Sequence, residues 1–568
     1  MLRESQRIFG IARGRVSSAA RMRGLDAKVL AALLATLAVL CAYRFYDYWT
    51  TGFFVSDEYG YFFDAAHGAV YSDRWFFGWV NIFLFKALGI TSVDAFSYLL
   101  PFYLFLWTAV TLIVFYKLLK LLGFDEVVTS LSLVSSFFLV SFILLSLGFL
   151  TEPVGLCMAM LGIYVLARFL KSRSAAGWVA FPLLAGCFFG FAAGTREPYN
   201  AFLVAGGLIV LATAYARRKE GIRTRRFSAR TLLGVSVLAF VIPSLFFIFV
   251  PTHAYSQQIA PIGSQLLQSL VSNPKTSGGP TNATQAAGGT PAVPFYRAFI
   301  GTNTLLIFFG GIILGWGPVC FVIALAGFLI LLRKSFWGRD VTARFVFFSS
   351  MVALGSYFIV SFIYAPDPYY FSFQNYSTVI RFSDTALPAY FLAAPFLLAM
   401  IAKSRKRMLG LAAVFLIFIA VAVPTYQVYA SSNFGAINGN PFSLSYRSPA
   451  ALARSYFATD GAGPYYLAGL PYGWAMTPGV QDLGVTAYNL VANGEAPPLN
   501  YTTFLRLHWT NFYISSTDTT GRGQDLPNYL SALIQQNATV ILPYSLVSSR
   551  VVVTAQDFAL LHVVIAWK

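Results

Sequence analysis

Ionisable residues are scarce in this chain, and several of them stand where apolar sequence gives way to polar. The stretch "FFVSDEYGYFFDAAHG" at 53–68 sets Asp57 and Glu58 side by side just after the first long apolar run. Ser56 is a favourable N-cap, so both acids fall in a first helical turn, where carboxylates complement the macrodipole. On that helix Asp57, Tyr61 and Asp64 sit at i, i+4 and i+7 and share a face. Further along, "TEP" holds Glu152, and "GTREPYN" holds Arg196 and Glu197. These three lie at the edges of apolar runs, where a charge is costly. It is retained for a site or to pair neighbouring helices. Arg381, in "IRFSDTALPAY", precedes a Pro-broken helix start and is suited to hold a phosphate bidentately, or else to pair with Asp384. Arg297 precedes another apolar run in the same manner.

The elements that must position these residues are set by composition. Of 568 residues, 57% are hydrophobic and 11% charged, and the mean hydropathy is +0.65. A soluble chain needs far more charge to cover its surface. A membrane span takes roughly 20 mostly apolar residues. Runs that meet this description lie near 29–47, 98–116, 127–150, 153–170, 178–195, 199–216, 231–251, 300–332, 345–365, 386–402 and 408–430, which makes eleven crossings. The Arg-rich leader 1–28 has no small-residue cleavage site, so the first run reads as an anchor. The segment 74–89 is short and carries Lys86, so it reads as an interfacial helix. The long run 300–332 contains "GWGP", a break signal, and still counts as one crossing because a basic loop follows it.

The net charge of +18 raises the question of nucleic acid, and its distribution answers it. Basic clusters occupy alternate loops: the leader, Lys117 and Lys120, Lys171 and Arg173, 217–230, 333–339 and 403–407. Under the positive-inside rule these loops are cytoplasmic. The N-terminus is then inside and residues 431–568 outside, with anionic membrane lipid rather than nucleic acid as the partner of the basic loops. The last 138 residues hold six basic and six acidic side chains, so the excess charge belongs to the membrane part. Short apolar runs there ("YYLAGL", "NFYIS", "ATVILPY", "LLHVVIAW") alternate with turns and a helix expected at 526–536, the pattern of a small α/β domain. All four cysteines (Cys41, Cys157, Cys187, Cys320) lie in expected spans, and no metal-ligand spacing is present. The fold expected is therefore mainly α and polytopic. A cytoplasmic leader (1–28) precedes a multi-span membrane domain with outer loops (29–430) and an extracytoplasmic α/β domain (431–568).

With this sidedness, Asp57, Glu58, Glu152, Arg196, Glu197, Arg297 and Arg381 all gather on the outer face. Taken in order, "SDEYGYFFDAA" with "GWVNIFLFKALGI", "LTEPVG", "GFAAGTREPYN" and "RFSDTALPAY" resemble motifs of the GT-C superfamily of integral-membrane glycosyltransferases. The branch that fits is the one holding protein O-mannosyltransferases and the lipid A aminoarabinose transferase. The resemblance covers nearly all of 29–402, and the C-terminal domain carries no comparable motif. It implies transfer of a sugar from a polyprenyl-phosphate carrier to an acceptor hydroxyl (lipid, glycan or protein) outside the membrane. Asp57 is then the general base, held ionised by a helix N-terminus, and Glu58 its helper. Arg381 and Arg297 stabilise the leaving phosphate; Tyr61, Asp64, Glu152, Arg196 and Glu197 line the substrate. The separated Asp-x-Asp that oligosaccharyltransferases use for a metal is absent, so no cofactor is indicated, although a divalent metal stays an option. Two other classes compete with this reading. A lipid-linked sugar transporter or flippase wants charges in mid-span, discontinuous helices and inverted repeats. A non-catalytic glycan-binding membrane protein has no need of the charged motifs.

Overall fold

The computed structural model describes residues 24–51, 74–90, 93–146, 151–172, 174–219, 229–255, 302–338, 340–364, 382–404, 465–469, 480–482, 511–516, 544–555 and 558–567, with isolated positions such as Tyr61, Ala65, Gly68 and Tyr456. The helices among them are α1 (Leu25–Thr51), α2 (Trp75–Leu88), α3 (Val93–Leu122), α4 (Glu126–Phe137), α5 (Val140–Ser146), α6 (Thr151–Lys171) and α7 (Ala175–Ala193). They continue with α8 (Asn200–Lys219), α9 (Ala229–Tyr255), α10 (Thr302–Trp316), α11 (Pro318–Phe336), α12 (Val341–Tyr364) and α13 (Leu387–Ile401). Among the described residues, seven apolar helical stretches are long enough to cross a bilayer: Leu25–Tyr43, Leu99–Leu122, Thr151–Lys171, Ala176–Ala193, Pro318–Phe336, Val341–Phe362 and Ser383–Ile401. The protein is a multi-pass membrane protein.

The expected eleven spans divide informatively. Two of them, 199–216 and 231–251, are helical as α8 and α9, with shorter apolar cores at Asn200–Leu211 and Leu233–Phe246. The eleventh, 408–430, falls almost wholly outside the described residues. One expectation needs correction. The run 127–150 is not one continuous span: α4 ends at Phe137 and α5 begins at Val140. Four serines and a threonine in α4's "EVVTSLSLVSSF" are the physical reason, because short hydroxyl side chains compete for helical carbonyls. Ser130 and Ser135 do so, donating to Glu126 and Ser132 carbonyls. The run 300–332 breaks at the expected "GWGP" into two helices, α10 and α11, parted at Gly317, and of the two α11 is long enough to cross. The Gly317 φ of 81° suits glycine, and Pro318 then opens α11 at a position where its missing N–H costs nothing. By contrast, α2 is a 14-residue helix, too short to cross, as its sequence implies. Its C-terminus is closed by Gly89 at φ 64°, and the N–H groups of Gly89 and Ile90 return to Lys86 and Phe85 carbonyls.

Two helices form the middle of the bundle. α6 packs against α3 and α7, and α13 packs against α4, α11 and α12. Nearly every residue of Thr151–Met160 and of Leu387–Pro395 is buried, whichever way it points, the signature of a central helix. Small residues permit the close approach: a Cβ added to Gly327 on α11 would run into the Ala393 backbone of α13. Each central helix carries an acid where it begins, Glu152 on α6 and Asp384 in the 3-10 turn Ser383–Ala386 that leads into α13.

Toward the C-terminus the described residues form a five-stranded sheet of β1 (Tyr465–Gly469), β2 (Val480–Asp482), β3 (Asn511–Ser516), β4 (Tyr544–Ala555) and β5 (Phe558–Trp567), in the order β2-β1-β3-β5-β4. β1 runs parallel to β2 and β3, and β5 antiparallel to β3 and β4. Parallel neighbours require crossover connections, in keeping with an α/β unit. The helix expected at 526–536 lies outside the described residues.

Candidate functional site

Two of the charged residues that the sequence singles out at spans' edges, Glu152 and Arg196, meet in a buried cluster with Asp384. After α7 the chain turns sharply: Gly194 N–H donates to the Gly190 carbonyl, and Thr195 and Arg196 N–H groups both return to Ala192. The Thr195 hydroxyl donates to the Phe191 carbonyl at 2.8 Å, and Tyr199 N–H closes a 3-10 turn onto Arg196. This places the Arg196 side chain beside the starts of α6 and α13. Its Nη1 donates to Asp384 Oδ1 at 2.5 Å and lies 3.7 Å from Glu152 Oε1. The guanidinium carbon stands 5.4 Å from the centre of the Phe382 ring, within cation–π range. Tyr199 donates from its hydroxyl to Asp384 Oδ2 at 3.3 Å, and Thr151 donates to Glu152 Oε2 at 3.4 Å. Arg196 is 8% exposed and both carboxylates are fully covered. Charges taken so far out of water persist only when paired and hydrogen-bonded.

The neighbouring backbone is fitted to this cluster. A Cβ added to Gly155, one turn into α6, would come 2.7 Å from Tyr199 Cε2, so "TEPVG" leaves room for the ring that "TREPY" supplies. On the other side of the turn, Phe76 N–H donates to the Gly194 carbonyl at 2.8 Å, and Gly194 lies flat against the Trp75 indole. The first turn of α2 is thereby joined to the turn that carries Arg196. Tyr61 lies nearby in the chain's order of packing: buried, it meets Phe77 edge-on at 4.9 Å, with the Arg74 guanidinium 5.4 Å from its ring centre.

Of the residues expected at a site, Glu152 and Arg196 are brought together, and Tyr61 is buried against α2. Glu197 begins the 3-10 turn Glu197–Tyr199, with its side chain outside the described residues. Asp57, Glu58, Asp64, Arg297 and Arg381 also lie outside them. Two participants were missed. Asp384 was weighed only as a partner for Arg381, three residues away, whereas it pairs with Arg196 across 188 residues. Tyr199 was passed over although it stands inside "GTREPYN". A tyrosine three residues after a buried arginine was the available signal.

No family model matches the sequence, and no curated protein does. The fold is another matter. Over 94% of this chain and 98% of the other, the structure is similar to the crystal structure of ArnT from Cupriavidus metallidurans in the apo state, with a TM-score of 0.51 at 10% identity. The chain shares that structure's fold. At that identity the likeness establishes architecture and leaves the reaction to be argued from residues. The chain is also aligned, at TM-score 0.42 and 12% identity, with archaeal oligosaccharyltransferase AglB from Archaeoglobus fulgidus in complex with an inhibitory peptide and a dolichol-phosphate. That alignment covers 88% of this chain and 70% of the other, and no argument rests on it.

Proposed function

We infer that this GT-C chain is an integral-membrane glycosyltransferase, moving a sugar from a polyprenyl-phosphate carrier to an acceptor hydroxyl at the outer face of the membrane, with inversion. The observation that carries the reading is the GT-C fold with the charged motifs of the α6 and α7–α8 segments converging at the start of α13. Asp57 is assigned as general base, taking the acceptor's proton as its oxygen attacks the anomeric carbon. Glu58 orients substrate or a neighbouring cation. The bond from the anomeric carbon to phosphate breaks, and the charge that grows on phosphate is met by Arg381, with Arg297 as second clamp. Asp64, Tyr61 and Glu197 line the substrate.

Asp384 is engaged by Arg196 on one oxygen and by Tyr199 on the other. The breaks between α4 and α5 and at Gly317 are the features that favour a flippase, since discontinuous helices line transport sites. The two readings part in one experiment. A strain lacking the protein is compared with wild type by mass spectrometry of its lipids, glycans and surface proteins. A transferase leaves one acceptor without its sugar while the lipid-linked donor accumulates on the outer face. Accumulation of the donor on the inner face alone favours the flippase.

A further inference from the structure

The last turn of α11 and the first turn of α12 set three cations around one short, closed connection. Trp337 and Gly338 N–H groups return to the Arg333 carbonyl, and Asp340 N–H to that of Lys334. Asp340 then caps α12, its Oδ1 accepting from Thr342 and Ala343 N–H groups at 2.9 and 3.2 Å. Across the turn, Arg344 Nε donates to the Ser335 carbonyl at 2.7 Å, closing one of the carbonyls that a helix end leaves open. That bond orients the guanidinium and leaves its two terminal nitrogens without an acceptor among the described residues. Lys334 Nζ stands 5.4 Å from the centre of the Phe396 ring of α13, which meets Phe124 edge-on at 5.2 Å. Arg333, Lys334 and Arg344 are all exposed, and among the described residues none of them pairs with a carboxylate. Arg339, in the same turn, lies outside the described residues.

The positive-inside bias accounts for the sign of these charges, and basic groups in a last turn complement the macrodipole. Neither requires them to converge unpaired. Lys120, four residues before Phe124 and so at the same end of the bundle, is neutralised by Asp26 at 2.7 Å. The depth of the turn completes the argument. The span Pro318–Phe336 rises about 28 Å over its 19 residues, close to the hydrocarbon thickness. Phe336 and Trp337, 57% and 76% exposed, therefore stand where aromatic side chains meet lipid headgroups, and the three cations stand beside them. We propose that the α11–α12 turn is a binding site for the headgroup of an anionic phospholipid, its phosphate diester held by Arg344, Arg333 and Lys334 while its acyl chains run along α11 past Phe336. Three cations against the single acid Asp340 favour a lipid of net negative charge over a zwitterionic one. The proposal is independent of the sugar-transfer reading.

The test uses the purified full chain in an uncharged detergent, with phosphatidylglycerol as probe. A lipid that binds the folded state raises the thermal midpoint, so the midpoint followed against lipid concentration gives an apparent affinity. Phosphatidylglycerol should raise the midpoint of wild type, whereas phosphatidylcholine and inorganic phosphate at the same concentration should not. A basic side chain facing anionic lipid is worth about fivefold in affinity, so Arg333→Gln, Lys334→Gln and Arg344→Gln combined should weaken binding by about 10²-fold. Arg344→Lys should recover only part of what Arg344→Gln loses, because a point charge replaces a planar fork. Lys117→Gln, at an exposed lysine near the same end of α3, should leave the affinity nearly unchanged. A loss at Lys117→Gln as large as at Lys334→Gln would mean diffuse attraction and overturn the site. Equal protection by inorganic phosphate would overturn the lipid as its ligand, and equal protection by phosphatidylcholine would overturn the headgroup as what is recognised. Where a lowered midpoint of the triple variant obscures the shift, native mass spectrometry counts the phosphatidylglycerol molecules retained: one fewer than wild type is expected, and an equal number would overturn the proposal.

Discussion

Replacing Gly155 by alanine adds one methyl group at the point where α6 meets the Tyr199 ring. The new Cβ would stand 2.7 Å from Tyr199 Cε2, closer than carbon atoms approach, so the ring must move. The ring is fully buried and its hydroxyl is tied to Asp384 at 3.3 Å, so it has no free direction to retreat. Overpacking a tight core costs about 1–3 kcal/mol. A ring displaced far enough to relieve the clash also forfeits the Asp384 hydrogen bond, worth about 1 kcal/mol at this length. Gly155→Ala should therefore cost about 2–4 kcal/mol, and Tyr199→Phe about 1 kcal/mol by the same account. The double variant should fall short of the sum by roughly the hydrogen-bond energy, because that bond is lost only once. Thermal unfolding of the purified protein followed by tryptophan fluorescence gives the ranking, with Gly155→Ala several degrees below wild type and the double variant barely lower. Strict additivity, or a Gly155→Ala midpoint equal to wild type, would refute the packing argument.

Gly194→Ala should be at least as damaging as Gly155→Ala, since its methyl group meets the Trp75 indole; Trp75→Ala introduced with it should recover part of the loss in the thermal midpoint. Arg196→Leu should destabilise by about 3–5 kcal/mol through the uncompensated carboxylates, and Asp384→Leu added to it should recover only part of that loss in the same unfolding assay, since buried Glu152 still lacks its ion pair with Arg196. For topology, a single cysteine placed in 431–568 of a variant without Cys41, Cys157, Cys187 and Cys320 should react with an impermeant maleimide in intact cells; labelling only after lysis would put that domain inside.

Much of this architecture was legible from composition. A chain with 11% charged residues has few places to put them, so each ionisable group at the edge of an apolar run stood out, and Glu152 and Arg196 were found in that way. The short α2 was legible because 14 residues of helix rise only about 21 Å, less than the hydrocarbon core. What remained hidden was tertiary. The pairing of Arg196 with Asp384 joins positions 188 residues apart, a contact that sequence proximity gives no hint of. The break in 127–150 was masked by hydropathy, which scores apolar content and ignores the competition of serine hydroxyls for helical carbonyls. The role of Gly155 was invisible, because the ring it accommodates comes from another helix.

The claim on which the rest depends is that this fold transfers sugar with Asp57 as base. The direct measurement is turnover of polyprenyl-phosphate-linked sugar by the purified full chain, drawing the donor from a lipid extract and following release of polyprenyl phosphate. Wild type should release the carrier and glycosylate the acceptor, Asp57→Asn should fold normally and lose about 10²–10⁴-fold in rate, and Glu58→Gln should lose less. An Asp57→Asn protein that turns over near the wild-type rate would contradict the account.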